Sequence, residues 1–163
     1  MLQKSNDTPR NDRSAWARAL AAVPDDRLRE VVDALLTRYR VAHRALPEEG
    51  LAMLTLRDGA HGEPFHLGEF PLARAHVTLQ DDTGARYEGG AIVMRDNADT
   101  ALRLAMCDAV LAAKLPESGL VRELVDEGAA LLRQEERRRQ AMRERTRVDF
   151  SMLSTGRGDD DVD

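Results

Sequence analysis

Histidine and cysteine are the side chains of this sequence that most readily carry metal or nucleophilic chemistry. There are four histidines and one cysteine, Cys107. No histidine pair has the His-Glu-x-x-His spacing that places two imidazoles on one helix face around zinc. His43, His66 and His76 lie in segments with strand-like alternation. One interpretation is a freestanding small-molecule enzyme that uses these histidines with Glu69; the alternative is that they are scattered strand side chains.

Cysteine and glycine offer no stronger signal of catalysis. Cys107 lies in an apolar helical segment, where a cysteine behaves as a small hydrophobic side chain. A single cysteine excludes an internal disulfide and a cysteine-based metal cluster. Gly89 and Gly90 lead into a strand and not into a helix N-terminus, so they do not form a phosphate-binding loop. We therefore identify no catalytic residue and no metal ligand on this chain.

A cluster of arginines near the C-terminus is the strongest local charge: Arg137, Arg138, Arg139, Arg143, Arg145 and Arg147. Glu135 lies four residues before Arg139, a spacing that favours ion pairs on an exposed helix. The net charge of −5 and the pI near 5.4 argue against a nucleic-acid adaptor. A solvated helix, or a helix that docks on an acidic partner, is the better interpretation.

Length and composition indicate one soluble domain. The chain has 163 residues, of which 42% are hydrophobic and 33% charged, and single domains commonly have about 100–200 residues. Its opening residues lack the apolar run of a secretory signal, and no stretch reaches the ~20 apolar residues of a membrane span. We expect a cytoplasmic protein without a membrane partner.

The hydrophobic periodicity predicts an α+β fold. An N-terminal helix pair is broken at Pro24, and an antiparallel sheet of about four or five strands follows between residues 39 and 94. Two C-terminal helices come next, the first capped by Asp96 or Asn97 and the second beginning near Ser118. Three prolines, Pro47, Pro64 and Pro71, should lie at turns or sheet edges, because proline cannot donate to a ladder.

One carboxylate stands out on the first of these C-terminal helices. Asp108 lies between Cys107 and Ala109 on a largely apolar surface. A buried charge requires a partner, so we expect an ion pair with an arginine on the strands, with Arg74 as the first choice.

The chain divides into three parts. We expect residues 1–11 to form a flexible N-terminus, residues 12–145 the single α+β domain, and residues 146–163 a partner-docking tail with an acidic end. Apolar side chains at alternate positions of this tail suit an extended segment with one buried face. The residues predicted to bind the partner are Arg147, Val148, Asp149, Phe150, Met152 and Leu153, with Phe150 as the anchor.

Four stretches of the chain carry a family resemblance: WARALAAVPDDRL, GEPFHLGEFPLARAHVTLQDDTG, RDNADTALRLAMCDAVL and RVDFSMLSTGRGD. Together they resemble the G subunit of the bacterial carbon–phosphorus lyase system, the PhnG family. The last stretch, similar to the Arg-Val-Asp-Phe tail of that family, is the most specific. The resemblance covers most of the chain from Trp16 to Asp159.

The resemblance implies a role in a hetero-oligomer with the other core subunits of that system. There the chain would be a non-catalytic but essential subunit of a ribose 1-methylphosphonate 5-triphosphate synthase, a transferase. The assembly would replace the adenine of ATP with an alkylphosphonate and form a ribose 1-alkylphosphonate 5-triphosphate. No cofactor is implied on this chain; a different subunit carries an iron–sulfur cluster with S-adenosylmethionine.

Overall fold

Residues 12–145 are described by the structure, a computed structural model. The predictions for residues 1–11 and 146–163 lie outside the described residues. The elements, in chain order, are α1 (Arg13–Leu20), α2 (Asp25–Leu36), β1 (Arg40–Arg57), β2 (Pro64–Gln80), β3 (Arg86–Val93), α3 (Ala98–Ala112) and α4 (Ser118–Arg145). The predicted α+β class and helix order are confirmed.

The helices begin where their capping residues place them. Asp12 caps α1 by accepting a hydrogen bond from the backbone N–H of Ser14 at 3.1 Å. Asn97 caps α3 in the same way, through the N–H of Thr100 at 2.9 Å. Side-chain oxygens at these positions satisfy N–H groups that have no partner within the helix. α1 ends at Leu20 and Pro24 is the N-cap residue of α2, so the two helices are separated near Pro24, as the sequence predicts.

The sheet is antiparallel, and its order in the described chain is β1-β2-β3. The expectation of four or five strands is wrong, because β1 and β2 are single strands of 18 and 17 residues. Residues 47–50, where Pro47 predicts a turn or a sheet edge, lie inside β1. A register shift between Ala45 and Glu48 accommodates Pro47 on this edge strand, where a missing donor is tolerated.

One face of the sheet, here called the inner face, forms the core with α3. Alternate β2 side chains are buried on this face: Ala73, Ala75, Val77 and Leu79. Helix α3 packs against β2 and β3, and the other helices surround it. Gly89 permits the close approach of α3 to β3, since a Cβ at this position would overlap the backbone of Ala105 and Ala109.

Helix α4 lies against α1 at a second point of close backbone approach. A Cβ at Gly128 would overlap the carbonyl oxygen of Ala19. Every residue of α4 from Arg133 to Arg145 is exposed, so the helix extends beyond its core, as the loss of its apolar stripe after Leu132 predicts. At ~1.5 Å per residue this overhang, residues 133–145, is about 20 Å long.

A hydrogen-bonded carboxylate joins the start of β1 to the start of α4. The Tyr39 hydroxyl donates to Glu117 at 2.5 Å, and Arg38 forms an ion pair with the same carboxylate at 3.0 Å. The hydrogen bond from Tyr39 is the main cause that holds the pKa of Glu117 below its ordinary value of 4.5. Burial and this carboxylate raise the pKa of Tyr39 to about 12.

The close contact at Gly128 predicts opposite effects for the same substitution at two positions of α4. Gly128→Ala should lower the free energy of unfolding by about 2 kcal/mol or more, because the new methyl group meets fixed backbone. Gly119→Ala should leave it unchanged or raise it by up to ~1 kcal/mol, because nothing lies within 4 Å and alanine favours a helix. Urea denaturation measures both, and equal effects would contradict the packing of α4 on α1.

The Glu117 interaction predicts a pH-dependent contribution to stability. A carboxyl group with a depressed folded-state pKa stabilises the fold above its unfolded pKa and loses that contribution as the pH falls through the folded value. The difference in unfolding free energy between wild type and Glu117→Gln should therefore be constant above pH 4.5 and shrink below it. Thermal denaturation from pH 7 to pH 3 measures this, and Tyr39→Phe should reduce the same pH dependence. A constant difference down to pH 3 would contradict the assignment.

Candidate protein interface

The first two strands extend well beyond the third. β3 pairs with Ala73–Gln80 of β2, and the preceding part of β2 pairs with β1 alone. Residues 50–72 therefore form a two-stranded hairpin that projects from the domain. This hairpin and the β1 residues 46–49 at its base are here called the ribbon (residues 46–72). Its nine β2 residues span about 30 Å at ~3.3 Å per residue. An isolated two-stranded hairpin is at best marginally stable in water, so this shape indicates an external contact.

The ribbon carries much of the exposed apolar surface of the described chain. Of the 13 large hydrophobic side chains that are exposed there, seven lie on the ribbon: Leu46, Leu51, Met53, Leu54, Leu56, Phe65 and Leu67. Contiguous apolar surface on a soluble protein commonly marks an interaction site. Scattered single residues would need no such explanation.

The ladder register assigns ribbon side chains to two faces, because directly opposed residues share a face. The outer face continues the exposed side of the sheet that holds Arg74. Beyond Glu48 at the base and the glycines Gly50 and Gly68, the paired ribbon residues of this face are all apolar: Ala52, Leu54, Leu56, Phe65, Phe70 and Leu72. The inner-face positions combine apolar and polar residues: Leu51, Met53, Thr55, His66, Glu69 and Pro71. The ribbon is therefore amphipathic, with its apolar face on the side away from the helices.

A side-chain-stabilised turn closes the ribbon at its tip. Asp58 accepts hydrogen bonds from the backbone N–H groups of Ala60 and His61, both at 3.1 Å. These bonds, that from Ala60 foremost, lower the pKa of Asp58. Gly62 follows with φ +71°, a conformation that glycine adopts without strain.

Two acidic residues fix the base of the ribbon to the domain. Glu49 accepts a hydrogen bond from the backbone N–H of Ala98 at 2.7 Å, at the first turn of α3. A carboxylate is favourable there because the helix N-terminus carries partial positive charge. On the outer face, Glu48 accepts from Arg74 Nε at 2.8 Å. The ribbon therefore leaves the sheet in a defined direction.

The expected ion pair of Asp108 exists, but Arg74 as its partner is wrong. Ala73 and Ala75 face the helices, so the intervening Arg74 points away from α3 and pairs with Glu48. The cation beside Asp108 is Arg13 of α1, whose Nε donates to Oδ1 at 2.9 Å. A second bond joins Arg13 Nη2 to Oδ2.

Asp108 has further partners on two other elements. Its Oδ2 accepts the backbone N–H of Gly90 on β3 at 3.0 Å, and its Oδ1 accepts Trp16 Nε1 at 3.3 Å. Asp108 is only 6% exposed, whereas the Arg13 side chain is 62% exposed. The carboxylate is thus a structural junction of α1, α3 and β3. Sequence reasoning missed Arg13, although it stands three residues before Trp16, the spacing of one helix face.

An open groove of about 780 Å³ lies on the outer face beside the ribbon base, between Arg13 and Leu46. Its two arginines, Arg13 and Arg74, are each paired with a carboxylate, and His76 on its wall lies 3.7 Å from Glu88. A triphosphate or phosphonate site would need cationic donors directed at the anion. We therefore do not assign the groove to an anionic substrate.

The residues considered for catalysis do not converge in the structure. His66 and Glu69 lie on the ribbon, where His66 contacts Thr55 at 3.0 Å. His43 and His76 lie in the body of the sheet, and His76 is 3.7 Å from Glu88. Among residues 12–145, no group of three or more His, Cys, Asp or Glu side chains could hold a metal ion. Cys107 is fully buried, and burial raises the pKa of its thiol to about 12.

Two arginines of the overhang, Arg139 and Arg143, have partners within their own helix. Arg139 Nε donates to Glu135 at 3.1 Å, which confirms the pair predicted from sequence, and Arg143 donates to Glu136 at 2.7 Å. This arrangement suits a solvated helix surface. The predicted docking residues Arg147, Val148, Asp149, Phe150, Met152 and Leu153 lie outside the described residues.

The family model described as "Phosphonate metabolism protein PhnG" matches residues 11–158. The chain belongs to the PhnG family. A relative from Rhizobium meliloti (strain 1021), named alpha-D-ribose 1-methylphosphonate 5-triphosphate synthase subunit PhnG, is 33% identical over 152 residues. The matched region covers 93% of this chain and 94% of the relative. The resemblance recognised from sequence is confirmed over nearly the whole chain.

The ribbon is the main feature of this PhnG-family chain that sequence reasoning did not identify. Its signal was present, because the segments LAMLTL and PFHLGEFPL contain more apolar residues than one buried face requires. None of the helices between residues 12 and 145 is both long and apolar enough to cross a bilayer.

The Asp108 junction predicts an asymmetric response to mutation. Asp108→Ala should lower the free energy of unfolding by about 2–4 kcal/mol, since it leaves the Gly90 N–H and Trp16 Nε1 without their acceptor. Arg13→Ala should cost less than ~1 kcal/mol, because the Arg13 side chain is 62% exposed and water replaces the carboxylate. Chemical denaturation of both variants measures this. A loss below ~1 kcal/mol for Asp108→Ala would contradict the structural role.

Proposed function

We propose that this chain is a non-catalytic, essential subunit of the carbon–phosphorus lyase core complex. Together with the other core subunits it helps to form a ribose 1-alkylphosphonate 5-triphosphate from ATP and an alkylphosphonate, with release of adenine. The name of the Rhizobium meliloti relative, a subunit of alpha-D-ribose 1-methylphosphonate 5-triphosphate synthase, supports this reaction class. The contribution of the chain is to shape and hold the assembly.

The observation that carries the subunit role is the projecting ribbon. A monomeric enzyme gains nothing from a ~30 Å hairpin whose apolar side chains face water. On its outer face Leu54, Leu56 and Phe65 are 38%, 38% and 45% exposed. Binding a second polypeptide would remove this surface from water, at ~25 cal/mol per Å² of apolar area.

The chemistry of the described residues supports a non-catalytic role for the chain. Asp108 and Glu117, the buried and nearly buried carboxylates, are each used in structural contacts. Both arginines of the groove beside the ribbon, Arg13 and Arg74, are held in ion pairs with carboxylates. ATP and the alkylphosphonate therefore bind, in this proposal, at surfaces completed or supplied by other subunits.

The cofactor of the wider system also fits another subunit better. An iron–sulfur cluster is commonly held by four cysteine thiolates, and this chain has one cysteine, Cys107. Burial raises the pKa of that thiol to about 12, which opposes the thiolate form that binds metals. The iron–sulfur cluster and S-adenosylmethionine are accordingly assigned to a partner.

Reconstitution of the core subunits, with and without this chain, tests the proposal. Adenine release from ATP in the presence of methylphosphonate should require the chain and should be absent with the chain alone. The Gly119→Ala variant, altered at an exposed position of α4, should restore turnover as wild type does. Turnover by the chain alone, or full turnover by an assembly that lacks it, would refute the non-catalytic, essential role.

A further inference from the structure

We propose that the outer face of the ribbon is the docking surface for another subunit, one whose contact surface is apolar at its centre and rimmed by lysine and arginine side chains. This inference rests on the proposed function and specifies which side of the ribbon is bound and by what chemistry. The opposite side of the ribbon, its inner face, remains outside the contact.

The apolar stripe on the outer face is continuous. Cross-strand pairs join Ala52 to Phe70 and Leu56 to Phe65, and Leu54 lies between them opposite Gly68. Phe65 is 45% exposed and Leu54 38%. At the base, Ile92 on β3 stands opposite Arg74 on the same face and is 73% exposed. The stripe therefore runs from the sheet along the ribbon without a helix over the side chains that form it.

The inner face lacks this continuity. Leu51 and Met53 are exposed, but Met53 stands opposite Glu69 and Thr55 opposite His66. Burying Glu69 beneath a partner would require a cation to compensate its charge. The outer face has no charged residue between the Glu48–Arg74 pair and the Arg57 end of the ribbon. Removing the outer face from water therefore costs less free energy than removing the inner face.

The charge around the stripe specifies the rim of the partner. Between residues 46 and 72 there are five carboxylates and one arginine, a net charge of −4: Glu48, Glu49, Asp58, Glu63, Glu69 and Arg57. Glu48 is paired with Arg74, Glu49 accepts the N–H of Ala98, and Glu69 belongs to the inner face. Asp58 and Glu63 at the tip are therefore the carboxylates left to meet the rim of a partner. Complementary charges at an interface rim guide association and exclude like-charged partners. A partner with lysine and arginine around an apolar centre would cover the apolar stripe and complement the negative charge around it.

A second copy of this chain does not fit the ribbon. Two ribbons packed face to face would bring net charges of −4 against each other. The overhang has the opposite sign, with six arginines against three glutamates, but its only apolar residues are Ala141 and Met142. Such a helix could match the rim of the ribbon but could not cover the stripe. The occupant is therefore a different polypeptide.

Paired double variants on the two ribbon faces test the assignment. Leu56→Ser with Phe65→Ser alters the outer face, and Leu51→Ser with Met53→Ser alters the inner face. Each full-length variant is titrated against the remaining core subunits of the system, and the dissociation constant is measured. The outer-face variant should bind at least tenfold more weakly, and the inner-face variant should bind within about twofold of wild type. Melting of each variant alone confirms that the domain still folds.

Two charge-reversal variants test the predicted basic rim of the partner. Glu63→Lys lies on the ribbon, and Asp82→Lys makes the same charge change in the exposed β2–β3 turn. The Glu63 variant should weaken assembly several-fold at low salt, with a smaller effect at high salt, because screening reduces rim electrostatics. The Asp82 variant should assemble as wild type does.

The outcomes separate this inference from the proposed function. If wild type assembles and the outer-face variant assembles equally well, the ribbon assignment is refuted and the subunit role stands. Loss of binding in the inner-face variant alone, or stronger binding by Glu63→Lys, would refute the stated face or the stated rim. A wild-type chain that does not bind the other subunits would overturn both proposals. Sedimentation of the chain alone should give a monomer; an outer-face-dependent dimer would make a second copy the occupant.

Discussion

The carboxylate of Asp108 is the contact on which the arrangement of three elements depends. β3 is an edge strand with only eight residues, and the Gly90 N–H on its free side would have no protein acceptor without this side chain. The same carboxylate receives Arg13 and Trp16 and so fixes the first turn of α1, another element of eight residues. Short elements gain little from their own propensity. Charge-assisted hydrogen bonds are stronger than neutral ones. Here such bonds cross between elements and stabilise helices and strands that are too short to be stable by themselves.

Two glycines then determine which side of the sheet is covered. Gly89 allows α3 to approach β3 at backbone distance, and Gly128 allows α4 to approach α1 equally closely. The helices are thereby gathered on the inner face, where the small residues Ala73 and Ala75 also lie. The asymmetry leaves Ile92 and the ribbon stripe to water. The candidate interface is therefore a consequence of how the core is packed as much as of the ribbon sequence itself.

Local signals in the sequence predicted most of the fold. Capping by Asn97, the break at Pro24 and the end of the α4 stripe after Leu132 each depend on a few neighbouring residues, and each was predictable. The number of strands was not predictable in this way. Pro47 is tolerated inside a strand only at a sheet edge, and which strand lies at the edge is decided by tertiary pairing. The prediction of Arg74 as the partner of Asp108 was wrong for a related reason. The face of the sheet to which Arg74 points depends on the strand register, which is set by residues distant in sequence. The family was recognisable from motifs, whereas the interface required the assembled faces.

The unequal strand lengths have a consequence for the life of the chain before assembly. Where β3 stops, the ribbon part of β2 presents an unpaired edge next to apolar side chains, the combination that promotes uncontrolled strand addition and aggregation. Pro71 on β2, the bulge at Gly68 and the carboxylates around the stripe all oppose that addition. These features slow strand addition, but they leave the apolar side chains of the ribbon exposed. In the proposed assembly, copies synthesised in excess of a partner would therefore be the ones exposed to aggregation and proteolysis, and matched synthesis of the subunits would limit that exposure.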